Sequence, residues 1–200
     1  MKNKLDKSFL GTKQYSLSVQ LLLRTLFISI VLTQSTMAQD RYTTRSGELF
    51  FEASVPSFEP IKATNKETSA VLDVKSGNFA VLALVRGFRF RVALMEEHFN
   101  ENYVESYKFP KTSFKGKIID FNIDNLSKKP QNFSAVGSLY LHGTTKEIEV
   151  PVTILLDEGQ LKLSSFFSVK AEDFGIKIPS LVRKQIAEIV EVKVELDMLP

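Results

Sequence analysis

The sequence predicts an all-β domain, a barrel or a sandwich, preceded by an export segment and interrupted by one helix. Three observations carry this. Apolar residues recur with a period of two along most of the chain after residue 39. Short turn signals containing Gly separate these runs. One segment, Leu94 to Tyr107, changes to a period near 3.6. Period two is a strand with one buried face, and period 3.6 is an amphipathic helix.

The N-terminus reads as a secretory signal peptide over residues 1–38. Lys2, Lys4, Lys7, Lys13 and Arg24 stand against one acid, Asp6. The apolar run Leu26–Leu32 follows, and Thr36-Met37-Ala38 puts small residues at the exit. The run is too short for a comfortable membrane span, so no transmembrane span is expected once the signal is removed. The expected address is periplasmic or secreted. That segment holds five of the 26 basic residues and one of the 23 acidic ones, leaving 21 against 22. The chain from residue 39 is therefore near neutral, and nucleic acid is not an expected partner, because phosphate binding runs on an excess of Lys and Arg.

The expected strands, in order, are Gly47–Ser54, Thr68–Lys75, Phe79–Val85, Thr112–Ile123, Phe133–His142, Lys146–Leu156, Leu161–Lys170 and Val190–Met198. Ser76-Gly77-Asn78 joins the second to the third. Gly143-Thr144-Thr145 and Asp157-Glu158-Gly159-Gln160 read as hairpin connections. Asn125–Asn132, with Lys128-Lys129-Pro130 inside, is a loop. The last strand is the clearest: Val190, Val192, Val194, Leu196 and Met198 alternate with Glu191, Lys193, Glu195 and Asp197. In the helix, Met95, Phe99, Tyr103 and Tyr107 form one stripe at i, i+4, i+8 and i+12, with Glu96, Glu97, Asn100 and Glu101 off it. A closed barrel of eight strands would remove every exposed edge.

The zero cysteine count excludes disulfides, thiol nucleophiles and thiolate metal sites. No phosphate loop or dinucleotide motif is present, so no cofactor is expected. His98, beside Glu97 and Glu101, admits a reading as the general base of a His-dependent hydrolase. Against it stands a reading as a polar anchor. A metal set of His98, His142 and Asp173 lacks ligand spacing, and no metal is expected. His142 beside Gly143 reads as a turn residue bonded to backbone. Of 16 Phe, Phe9 and Phe27 lie in the signal and 14 remain, many on alternating faces: Phe50, Phe79, Phe88, Phe90, Phe114, Phe121, Phe133 and Phe167. They either fill a core or line a hollow. Ala83, Ala135 and Gly137 are small positions that leave room for a ligand or admit a facing ring.

The segments LMEEHFNENYVESYKFPKTSFKG, GSLYLHGTTKEIEVPV and AEDFGIKIP, in this order and spacing, resemble the YceI-like family of exported bacterial proteins. The resemblance spans roughly residues 42–198. It implies an antiparallel eight-stranded lipocalin-like β-barrel over residues 39–200, with the helix inserted near the barrel mouth, enclosing a polyisoprenoid chain. The helix motif HFNENYVES departs from the usual aspartate-rich pattern of that family. On this reading the chain is a non-enzymatic carrier, and its partner is an apolar lipid, a polyisoprenoid or an isoprenoid quinone. The apolar lining is expected from Phe79, Val81, Phe88, Phe90, Met95, Phe99, Tyr103, Phe114, Phe133, Leu139 and Phe167. His98 and Asn102 would meet a head group. The alternative is a filled barrel that engages an envelope protein through the Asn125–Asn132 loop. A homodimer is as compatible with the sequence as a monomer.

Overall fold

The structure is a computed structural model, and it describes residues 40–200. The expected signal peptide lies outside the described residues. Nine strands run in chain order: β1 (Arg41–Ser54), β2 (Lys62–Asp73), β3 (Asn78–Leu84), β4 (Arg89–Phe90), β5 (Lys111–Ile118), β6 (Gln131–Leu141), β7 (Thr144–Asp157), β8 (Gln160–Lys170) and β9 (Ile186–Met198). A short helix α1 (Ala93–His98) continues into a π turn over Phe99–Tyr103.

All pairings are antiparallel, in the order β1-β9-β8-β7-β6-β5-β3-β2, and β2 returns to β1. The eight long strands therefore close into a lipocalin-like barrel, which leaves no long edge unpaired. The two-residue β4, absent from the sequence expectation, pairs with Ala63 and Thr64 of β2 beyond the end of β3. The break between β3 and β4 is bridged by the buried Asn65, whose Nδ2 donates to the Leu84 carbonyl at 2.8 Å.

The hairpins are tighter than their sequence predicts. His142-Gly143 and Glu158-Gly159 are two-residue turns with positive φ at both positions (49° and 77°, 51° and 80°). This mirror-image turn matches the right-handed twist of the strands it joins. The β5–β6 pair carries a different device. Gly116 lies opposite Gly137, and a Cβ on either would fall onto the other strand's backbone. Gly137 thus permits a close backbone approach and does not open space for a ligand, while Ala135 is sealed in the core.

The helix ends earlier than its stripe predicts. Met95, Phe99 and Tyr103 keep their common face, but Glu105 turns into the left-handed region (φ 43°) and Tyr107 is 90% exposed. The π turn, with Val104 N donating to the Phe99 carbonyl at 3.0 Å, already spends the residue that would have kept Tyr107 in phase.

The barrel ends differ. One carries the β2–β3 and β7–β8 turns and the β5–β6 connection. Here Leu72, Ile118, Ile154, Leu161, Leu196 and Met198 pack with almost no exposure, and Phe121, Ile123, Leu126 and Phe133 close over them. The other carries the β1–β2 loop, α1, the His142-Gly143 turn and the long connection from Ala171 to Gln185. The core thus fills one end of the barrel only.

Candidate functional site

The unfilled end holds a cavity of about 370 Å³, within the usual size of a small-molecule site. Its floor is shared with the core: Phe79, Val152, Leu163 and Val194 belong to both. The wall follows from strand alternation. β3 contributes Phe79, Val81 and Ala83; β8 contributes Leu163, Ser165, Phe167 and Val169; β9 contributes Val190, Val192 and Val194. Ser165 is the polar exception among them, and its Oγ donates to the Pro151 carbonyl at 2.7 Å, so the wall presents little unmet polarity there.

At the mouth, α1 and the π turn present Met95, His98, Phe99 and Tyr103. Phe99 is seated in a cluster of rings. It stacks on Phe51 (centroids 5.3 Å, 27° between planes) and meets Phe88 at 5.8 Å and Phe90 at 5.1 Å. The far side of the mouth comes from the connection after β8: Ile176, Ile178, Val182 and Gln185.

Of the residues singled out from sequence, Phe79, Val81, Phe88, Phe90, Met95, Phe99, Tyr103, Phe114, Leu139 and Phe167 line this one cavity. Phe133 does not: it packs against Phe121 (centroids 6.0 Å) at the filled end. Alternation fixes the face of a residue but not its height along the barrel axis. His98 is exposed and lines the rim, whereas Asn102 is exposed and lies outside the lining. On β1 it is Phe51, not Phe50, that turns inward. Burial pushes the Tyr103 phenol above its ordinary value, consistent with its apolar surroundings.

The residues of the hydrolytic reading do not converge. His98 faces the cavity rim, and Glu97 and Glu101 line a separate outer groove with Tyr107 and Lys108. His142 is held elsewhere: its Nδ1 lies 3.0 Å from the Phe174 carbonyl, and its Nε2 lies 2.9 Å from Glu105 Oε2. Its ring meets Phe109 edge-on at 4.6 Å. His142 therefore pins the β6–β7 turn to the end of the π turn and to the loop after β8. Asp173 pairs with Lys146 at 2.9 Å. Among the described residues no cluster of side chains is placed to hold a metal.

A closed antiparallel barrel, packed at one end and hollow with an apolar lining at the other, defines the lipocalin-like class of ligand-enclosing proteins. Within that class, the chain belongs to the YceI-like domain family, whose pattern it matches over residues 32–198. Solved structures with the same fold include a polyisoprenoid-binding domain from Saccharophagus degradans (TM-score 0.69, 13% identity, covering 80% of this chain and 98% of that one). BcnA of Burkholderia cenocepacia is similar at TM-score 0.63 and 15% identity, covering 76% of this chain and 96% of its own. The YceI protein of Campylobacter jejuni reaches TM-score 0.55 at 17% identity, covering 72% and 88%. No curated protein sequence matches the chain.

Proposed function

We propose that the chain is an exported, non-enzymatic carrier of an apolar isoprenoid-type lipid, a polyisoprenoid or an isoprenoid quinone. The hydrocarbon lies along the barrel axis, its end toward the floor at Phe79 and Val152. The observation that carries this is the lining itself: aliphatic and aromatic side chains from floor to rim, with polar groups concentrated at the mouth. An extended hydrocarbon asks for no hydrogen bonds from such a wall, and each buried methylene contributes about 0.8 kcal/mol before ordering costs. His98 and Gln185 at the rim are placed to meet a polar head group. The likeness to a polyisoprenoid-binding domain supports the ligand class. Glu97 and Glu101 line the outer groove and not the cavity that His98 borders, which weighs against catalysis.

The test is native mass spectrometry of the mature protein purified from an envelope that contains isoprenoid lipids, followed by organic extraction. A discrete added mass that extracts as an isoprenoid is expected. A clean protein mass from that source would overturn the reading. N-terminal sequencing of the same material is expected to begin at Gln39.

A further inference from the structure

Several apolar side chains outside the cavity are exposed at its mouth. Phe58 on the β1–β2 loop is 46% exposed, Leu94 on α1 is 56% exposed, and Leu181 on the connection after β8 is 89% exposed. Val92, just before α1, is also exposed. None of the four lines the cavity. They come from three separate connections, and the alternation of an antiparallel barrel places all three at one end. At the filled end, among the described residues, Ile119 and Leu199 are exposed at 40% and 57%, while Leu72, Ile118, Leu161 and Met198 turn inward, so the larger set is at the mouth. We propose that this rim docks on the surface of a phospholipid bilayer, with Phe58, Leu94 and Leu181 inserting beneath the head groups.

The choice of a bilayer over a protein partner rests on continuity. The exposed rim surrounds the opening of an apolar cavity, so an apolar chain leaving that opening would enter whatever the rim covers. A transfer that keeps the chain out of water requires that phase to be apolar too. Exposed apolar side chains grouped on loop tips are the usual mark of an interaction face. The charges nearby fit a head-group layer. Arg91 adjoins Val92, and Arg183 and Lys184 follow Leu181, so their long side chains can reach phosphates while the apolar neighbours insert. Acids at the same end are largely engaged or turned aside: Glu96 pairs with Arg89, Asp173 with Lys146, and Glu97 and Glu101 line the outer groove. Glu188 lies 3.9 Å from Arg183, and Glu59 and Glu172 remain against Arg91 and Lys184, so the end is close to charge balance. Insertion, not electrostatic attraction, is therefore the main driving term.

This proposal rests on the lipid-carrier reading, and the experiment separates the two. Mature protein is floated with vesicles of phosphatidylethanolamine and phosphatidylglycerol, and its extractable lipid is measured in parallel. Wild type is expected to float with the vesicles. The triple variant Phe58→Ser, Leu94→Ser, Leu181→Ser is expected to lose roughly ten-fold or more in partitioning at unchanged melting temperature. Should the triple variant fold poorly, Leu181→Ser alone, at the most exposed of these positions, is expected to weaken flotation several-fold. Wild type that carries lipid yet does not float overturns the docking surface and leaves the carrier reading standing. Wild type that floats but carries no lipid does the reverse. A variant that floats as well as wild type, or a rim that binds an envelope protein and no vesicle, overturns the docking surface.

Discussion

Phe99 lies nearly parallel to Phe51, ring centroids 5.3 Å apart, and so ties the π turn at the mouth to the inward face of β1. Four rings, Phe51, Phe88, Phe90 and Phe99, share this contact. Phe99 is thus the apolar anchor of the segment that covers one side of the cavity, beside the polar anchors Glu96, paired with Arg89, and Glu105, which meets His142. Phe99→Ala removes three ring contacts at once. A buried Phe→Ala change costs about 3–5 kcal/mol, and a half-buried ring belongs at or below the low end. Most of that cost should fall on local opening, because Phe99 lies on a short connection and not in the barrel wall. Hydrogen exchange over residues 93–104 is expected to speed up sharply while the β7–β8 amides stay protected. Uniform loss of protection would show instead that this segment and the barrel open as one unit.

The legible part of this architecture was the alternation. It marked all eight long strands and put Phe79, Val81, Phe114, Leu139 and Phe167 on one cavity, to which the 3.6 period added Met95, Phe99 and Tyr103. What was hidden has physical causes. Leu49-Phe50-Phe51 is a run of three apolar residues, so period two cannot tell which ring faces inward. β4 is two residues long, too short to show any period, and exists because Asn65 bridges the gap beside it. Phe133 obeys the pattern but sits below the cavity, a matter of axial height that register alone decides. The far wall of the mouth, Ile176, Ile178 and Val182, follows β8 as irregular backbone. The alternation of Ile176 and Ile178 around Lys177 was its only signal.

The facing pair Gly116 and Gly137 makes the β5–β6 contact sensitive to a single methyl. In Gly137→Ala the new Cβ meets the Lys115 carbonyl and the Gly116 Cα, neither of which can rotate away. Overpacking against backbone costs roughly 1–3 kcal/mol or more. A lowered urea midpoint with an unchanged slope is expected. Ala at this position with wild-type stability would mean the two strands can separate without loss.

Asp73 accepts hydrogen bonds from the Ser76 backbone N–H at 2.9 Å and its hydroxyl at 2.8 Å, which hold its carboxyl below the ordinary value of 3.8. The folded value is the lower one. The stabilisation is therefore present above the unfolded value and is lost as pH falls through the folded one. Asp73→Asn, which keeps an acceptor oxygen but no charge, is expected to be less stable than wild type at neutral pH. The difference should close as the solution is acidified below pH 3.8. Thermal melts of both proteins across that range check it, and a constant gap would place the effect in packing and not in the carboxylate.

Ala83 offers the most direct test of whether the cavity is the working part of the molecule. It is almost fully buried on β3, between Val81 and Val85, and all three line the cavity. A larger side chain in a packed core would force its neighbours off their rotamers at roughly 1–3 kcal/mol. At Ala83 it projects toward unfilled space, so much of that cost is offset by new apolar contact. Ala83→Phe is thus expected to fold with near wild-type stability and to carry far less extractable lipid, because the ring occupies volume a hydrocarbon would use. The pairing of the two readouts matters. Lost lipid with retained melting temperature locates binding inside the barrel. Retained lipid in a stable variant would move the ligand off this wall, toward the rim or the outer surface.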